Sequence, residues 1–502
     1  MVSAPNPPGT TPPGTGTTYE VVIGLEVHSQ LLTASKMFCQ CSSDYAGAPP
    51  NTHVCPVCLG MPGVLPVINR LAVEHTLMTG LALNCTIPEA SKFDRKNYPY
   101  PDLVKGYQIS QYDLPFCLDG WIDVEVDGEV RRIKMERVHL EEDTARLVHV
   151  TDDAGVSASL IDVNRSGVPL MEVVSRPDMH TPAEARAYLQ KLRSIVRTLG
   201  VSTGNMDEGS FRCDANISLR PFGQAELGTK TEVKNMNSFR SVFRALEFEI
   251  KRQTEVLDRG ERVVQETRGW IDDRGITVSQ RSKEQAHDYR YFPEPDLPPV
   301  FVAREWVTEI RGRLPELPDA RRDRFVSQYG VTPYLAAQLA ASRDVADFFE
   351  RTVELSKDAR TVGNWVQNEL FRLQKESGAD KDGADEDAPT ALPKPEHLAE
   401  LIRLVDAGTI NGTAGKQVFE ELYRTGDAPS AIVERLGLTQ LSDTTELDAV
   451  AAQVIAANER PVADYRGGKT SALGRLVGEV MKATRGRANP AVVTEVLKRL
   501  LD

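Results

Sequence analysis

Glu26 and His28 stand two residues apart in the stretch Val21–Leu31, whose other parity, Ile23, Leu25 and Val27, is apolar. Period two describes a β-strand with one face in a core, so the carboxylate and the imidazole share the opposite face. The stretch Met206–Leu219 repeats the pattern, with Glu208, Ser210, Arg212, Asp214, Asn216 and Ser218 against Phe211, Cys213, Ala215, Ile217 and Leu219. Three shorter segments follow suit. Arg137, His139 and Glu141 alternate with Val138 and Leu140; Asp162 and Asn164 alternate with Ile161 and Val163; Lys230, Glu232 and Lys234 alternate with Thr231 and Val233. For one strand alone, such a face is ordinary solvated surface. Five of them in one antiparallel sheet make a floor of acids, His, Asn and Lys that can hold a cation and a phosphorylated ligand.

A second chemistry lies in Cys39-x-Cys41 and Cys55-x-x-Cys58. Two close pairs at this separation can bring four thiolates around one tetrahedral Zn²⁺, and four protein ligands close the site, which makes it structural. The alternative is four unrelated buried thiols. His75, on the apolar-periodic stretch Asn69–Leu83, reads as a helix-surface residue. Gly468-Lys-Thr imitates a phosphate-binding loop, but the required earlier glycine is Ala463 and no strand precedes it. No nucleophile constellation with diagnostic spacing is present.

The elements that must position these residues read as an α+β chain. At 502 residues it exceeds one core, so several domains are expected. A net charge of -13 argues against a whole-surface nucleic-acid binder. The absence of a transmembrane run or signal-peptide core, with free-thiol cysteine usage, points to the cytoplasm and away from membranes. Residues 1–18 are Pro, Gly and Thr rich and expected to be disordered. An antiparallel-sheet domain spans 19–300, with a knuckle-like insertion at 39–58. Within it, Asp127-Gly128 marks a hairpin turn, and helices are expected at Thr181–Leu199 and Ser238–Arg259. A helical domain covers 301–408, interrupted by an acidic loop at 378–396, and a small helical tail covers 409–502. Between Arg460 and Arg499 the tail has nine Lys/Arg and three Asp/Glu, which suits RNA phosphates or simply a solvated helical face.

Seven motifs, in order, resemble one family. They are Ile23-Gly-Leu-Glu-Val-His, Ser91-Lys-Phe-Asp-Arg-Lys-Asn-Tyr, Tyr107-Gln-Ile-Ser-Gln, His139-Leu-Glu-Glu-Asp, Asp162-Val-Asn-Arg-Ser-Gly-Val-Pro-Leu, Gly209-Ser-Phe-Arg-Cys-Asp-Ala-Asn-Ile-Ser and Asp288-Tyr-Arg-Tyr-Phe-Pro-Glu-Pro-Asp. Together they resemble the B-subunit family of bacterial tRNA-dependent amidotransferases. The tail, through Asp464-Tyr-Arg-Gly-Gly-Lys-Thr and Arg485-Gly-Arg-Ala-Asn-Pro, resembles that family's tRNA-binding tail. The resemblance implies a ligase that converts Glu-tRNA(Gln) to Gln-tRNA(Gln), or Asp-tRNA(Asn) to Asn-tRNA(Asn). It implies ATP, Mg²⁺, a glutamine-hydrolysing A subunit that sends ammonia to its B partner, and a C subunit completing a heterotrimer. By similarity, Glu26, His28 and Glu142 hold Mg²⁺, His28 directly or through water, with Glu141, Glu208 and Asp214 nearby. Strand parity puts Glu141 and not Glu142 beside His139 unless a bulge at Glu142-Asp143 turns the chain; the resemblance decides for Glu142, with Glu141 as second choice. Lys105, Arg212, Asn216 and Lys230 are the expected ATP and phosphate contacts. Rival readings are a zinc-stabilised RNA-binding subunit without catalysis and a metal-dependent hydrolase using Glu26, His28 and Glu142.

Overall fold

The computed structural model describes residues 19–151, 155–282, 289–376, 392–439, 444–484, 488 and 490–501. The expected disorder of residues 1–18 and most of the acidic loop lie outside them; the end of that loop opens the helix Pro395–Asp406. The chain divides into two compact units after Pro318.

The first unit is built on a sheet of nine strands among the described residues. Tyr19–Gln30 lies at its centre, paired antiparallel with Phe211–Pro221 on one side and Pro169–Ser175 on the other. Beyond Phe211–Pro221 come Thr231–Met236, then Glu266–Ile271 in the one parallel pairing of this sheet, then Ile276–Ser282. Beyond Pro169–Ser175 comes Glu129–Glu142, which also forms the expected hairpin with Trp121–Val126. Asp127 and Gly128 both take positive φ, 53° and 79°, the backbone a two-residue hairpin turn requires.

One face of the sheet carries Ile23, Leu25, Val27, Val138, Leu140, Met171, Val173, Cys213, Ala215 and Ile217 into a single core. The helices Arg70–Ala82, Pro182–Thr198 and Phe239–Asp258 contribute the apolar residues that meet it. Each starts where a cap is available. Asn69 accepts from Leu71 and Ala72, Ser238 accepts from Ser241, and Thr181 accepts from Glu184 N, while the Glu184 carboxylate reaches back to His180 N, one residue before the cap.

Two expectations about strands need correction. Met206–Gly209 is a turn, and the strand begins at Phe211; the Ser210 hydroxyl and Phe211 N bond back to Asn205 and close the turn, while the Ser210 carbonyl already accepts from Gln30 N at 2.8 Å. The Asp162 segment is not part of the main sheet. Ser157–Asp162 pairs with Arg146–Thr151 in a separate ribbon, and Val163–Arg165 is a single 3-10 turn capped by Asp162.

The second unit is helical. One core gathers Phe325, Phe349, Val366, Leu401, Phe419 and Val433, and another gathers Leu447, Leu476, Val493 and Leu497. The expected division at residue 408 falls inside the first of these cores, since Leu401 and Phe419 belong to the same packing.

Candidate functional site

Register, more than any single residue, assembles the site. His139 pairs with Glu172, Glu172 with His28, and His28 with Arg212, so one row crosses four strands. Glu26 pairs with Asp214 one step along the same face, and Asn216 pairs with Glu232. Because side chains alternate, residues paired in register on one face stand side by side.

His28 Nε2 lies 3.6 Å from Glu172 and 3.7 Å from Glu141. His139 Nε2 lies 3.1 Å from Glu172 and 3.7 Å from Glu141. Ser110 donates to Glu141 at 3.1 Å. Burial works against a charge on His28, but the carboxylates of Glu172 and Glu141 overcome it and raise its pKa to about 9. Burial likewise penalises Glu172, yet the two histidines hold its pKa well below the usual carboxylate range. Lys96, from the short strand Asp94–Asn97, is kept charged against its burial by Glu141 and Glu172, and the Tyr289 ring lies 5.0 Å from its ammonium.

A second group sits beside the first. Glu26 accepts from Asn216 Nδ2 at 2.9 Å, and Lys234 bridges Asp214 and Glu232. Burial, then repulsion from Glu172 and Asp214, raises the Glu26 pKa. In each of the sets His28–Glu141–Glu172 and Glu26–Asp214–Glu232, one donor atom per residue lies within 4.8 Å of the others. Oxygen-rich sets of this kind fit a hard divalent cation, with His28 the one nitrogen donor. In the second set three carboxylates face the single ammonium of Lys234, an excess of negative charge that such a cation compensates.

Arg212 reaches the other way, donating to Asp143 at 3.0 Å, where Gln30 also donates at 2.7 Å. Gln30 and Arg212 border a cleft of about 1230 Å³ lined by Tyr45, Asp162, Arg165, Glu208 and Asn237 among others.

Several expected site residues fall elsewhere. Glu142 faces away from His28, because the strand stays regular through Glu142 and no bulge turns it. It is buried against Lys105 and accepts from Ile109 N at 3.0 Å. Lys105 is therefore committed to a carboxylate. Glu208 is exposed in the turn before its strand and belongs to neither acid set. Lys230 is exposed in a loop; the cation on that strand's polar face is Lys234. Glu172 and Asp143 are not among the expected site residues; Lys96, which with Lys92, Arg95 and Lys105 could be expected to meet phosphates from a polar, aromatic loop, instead faces Glu141 and Glu172. Glu172 carries a sequence signal, an acid embedded in the apolar run Pro169–Ser175, where a charge has to be paired. Asp143 ends the His139-Leu-Glu-Glu-Asp motif, but nothing local marks its partners.

The four cysteines do converge. Sulfurs of Cys39, Cys41, Cys55 and Cys58 lie within 4.8 Å of one another, and Cys55 N donates to Cys58 Sγ at 3.0 Å, as backbone amides do to thiolates in metal knuckles. Paired with Cys39, the Cys58 thiol is lowered to about 5. The knuckle is tied to the turn after Asp162: His53 N donates to Asn164 Oδ1 at 2.8 Å, and Asn164 Nδ2 donates to Pro49 O at 2.8 Å. Arg165, on the same turn, lies 3.7 Å from Asp143.

Family models described as the GatB/GatE catalytic domain and the GatB domain match residues 21–308 and 347–501. The chain is 56% identical over 494 residues to the B subunit of the aspartyl/glutamyl-tRNA(Asn/Gln) amidotransferase of Dehalococcoides mccartyi, covering 97% of this chain and 99% of that protein. It is 58% identical over 485 residues to the protein of the same name from Thermomicrobium roseum, covering 96% and 99%. For Carboxydothermus hydrogenoformans the figures are 55% over 481 residues, covering 96% and 98%.

Proposed function

We propose, from the premise that this chain belongs to the GatB/GatE family, that the polar face of its sheet is a carboxylate-phosphorylating and amidating site. The chain is a ligase component acting in tRNA-dependent amidation, with glutamine as amido donor, during protein biosynthesis. The steps and the residue roles that follow are our reading.

The side-chain carboxylate of Glu-tRNA(Gln) or Asp-tRNA(Asn) is a poor acceptor until one oxygen becomes a leaving group. Its oxygen attacks the γ-phosphorus of ATP, and ADP departs. Ammonia, produced from glutamine by a partner A subunit, then attacks the acyl carbon of the resulting acyl phosphate, loses a proton and expels inorganic phosphate. Phosphoryl transfer of this kind depends on positioning and charge neutralisation. Glu26, oriented by Asn216, and His28, Glu141 and Glu172 are the residues that would hold Mg²⁺. When bound, Mg²⁺ neutralises phosphate charge and fixes the phosphate oxygens. Arg212 and Lys234 flank that face and are placed to meet anionic oxygens once these displace Asp143 and Asp214. The cleft beside Arg212 is large enough for a nucleotide. Cys39, Cys41, Cys55 and Cys58 would hold Zn²⁺ in a closed, structural site. The basic tail would meet tRNA phosphates, and the A and C components would complete the assembly. Among the described residues no helix is long and apolar enough to cross a membrane.

The observation that carries this reading is the in-register row His139–Glu172–His28–Arg212 with Glu26–Asp214 beside it. The test is transfer of labelled phosphate from ATP to the aminoacyl-tRNA by the assembled complex without an ammonia source. Glu26→Gln is expected to lower it by about 10²–10³-fold, ~3–4 kcal/mol of lost electrostatic stabilisation. Transfer at the wild-type rate in an intact Glu26→Gln complex would place the chemistry elsewhere.

A further inference from the structure

Lys36 is fully buried, three residues before Cys39. Its Nζ donates to the carbonyls of His53, at 2.8 Å, and Val163, at 3.4 Å. Among the described residues no carboxylate lies within ion-pair distance of it. An ammonium taken from water into the interior with only carbonyl dipoles for company is costly, so an interior lysine normally faces an anion.

Its surroundings offer a different anion. Lys36 N donates to Cys41 O at 2.9 Å. A Cβ built on Gly167 would lie 3.5 Å from Lys36 Cδ and 3.9 Å from Cys58 Cβ, so the lysine stem and Cys58 line the same small gap. His53, whose carbonyl receives the ammonium, is two residues before Cys55. Four thiolates around a divalent cation leave two negative charges in excess.

We propose that Lys36 is the internal counter-cation of the four-cysteine metal centre, a positioning residue whose charge slows loss of the metal. This rests on the zinc reading above. The lysine offsets half of the excess charge of the loaded centre, and the centre in turn supplies the anion that the buried ammonium otherwise lacks. Through the ammonium, the carbonyls of His53 and Val163 join the knuckle to the Val163 turn.

The test is the rate at which the full-length chain, in its assembled complex, releases zinc to a chromogenic chelator, with zinc content measured first. Zinc absent from anaerobically purified wild type would overturn the zinc reading itself. With zinc present, Lys36→Met and Lys36→Gln are expected to release it about 10–100-fold faster, the usual cost of losing an outer partner of a metal site, and Lys36→Arg to stay near wild type. Neutral variants releasing zinc at the wild-type rate overturn the proposal. So does an arginine variant as labile as the neutral ones. Where the neutral variants fail to accumulate, accumulation of the zinc-loaded arginine variant supports the charge role. Equal failure of all three assigns Lys36 to packing and overturns it.

Discussion

Glu172 lies between His28 and His139, 3.6 and 3.1 Å from their Nε2 atoms, and no other carboxylate meets both so closely on that strand. Glu172→Gln keeps the shape and removes the charge that holds both imidazoles. Phosphate transfer is expected to fall by about 10²-fold, while tRNA affinity, measured by filter binding, stays unchanged. An equal loss in tRNA affinity would mean that Glu172 maintains the fold at large. At this scale the sequence is partly transparent. Glu26, His28, Asp214 and Asn216 are legible because period two sorts them onto one face. Lys234 is sorted with them, but parity cannot choose between it and Lys230, since only the strand's actual start decides which lysine is on the sheet. Lys96 is legible only as one of several cations in a polar, aromatic loop; its place on the site is not, because its alternation lasts only the four residues Asp94–Asn97 and its partners Glu141 and Glu172 are remote in sequence.

Gly60 closes the second cysteine pair with φ +62, and a Cβ there would clash with the Lys105 stem at Cγ. The turn therefore holds the lysine stem against Glu142. Gly60→Ala meets both the left-handed backbone penalty and this clash. It should lower stability by about 1–2 kcal/mol by thermal melting while zinc content stays at wild type. Loss of zinc from this variant would show that the turn serves the metal instead of the Lys105–Glu142 pair. In the second unit, Glu350 on the helix Arg343–Ser356 joins that helix to Pro318–Tyr329 through Arg324 at 2.6 Å and Tyr329 at 3.0 Å. Burial opposes its charge, but Arg324, Arg321 and Tyr329 lower its pKa to about 2. A depressed carboxylate stabilises above its unfolded value of 4.5 and loses that contribution as pH falls towards about 2. Glu350→Gln should thus cost ~1 kcal/mol at neutral pH, and the gap from wild type should close across that window in melting curves. Helix and hairpin boundaries are the most legible elements, because caps at Asn69, Thr181 and Ser238 and the Asp127-Gly128 turn act locally. The Asp162 segment is not, since alternation cannot say which sheet a strand joins.

For the molecule as a whole, the tail prediction depends on where cores end. A cut near residue 410 would remove Val418, Phe419 and Leu422 from the core that also holds Phe349 and Leu401, and would unfold more than the tail. A cut after residue 439 spares that core and removes the one built from Leu447 to Leu501. It should leave glutaminase activity of the complex intact and weaken tRNA binding, with the lost affinity shrinking as salt rises. Unchanged tRNA affinity would rule out the basic tail as a tRNA contact. Domain boundaries are the least legible feature here, because composition changes smoothly between helices that share one core. The knuckle has a further consequence, which lies in time. Its backing residue Asn164 is 111 positions after His53 in the chain. A ribosome adding ~5–20 residues per second delivers Asn164 roughly 5–20 s after the cysteines emerge. During that interval the four thiols have left the exit tunnel without the turn that later encloses them. Newborn chains are then the form in which the four thiols are most open to oxidation or to an unintended metal.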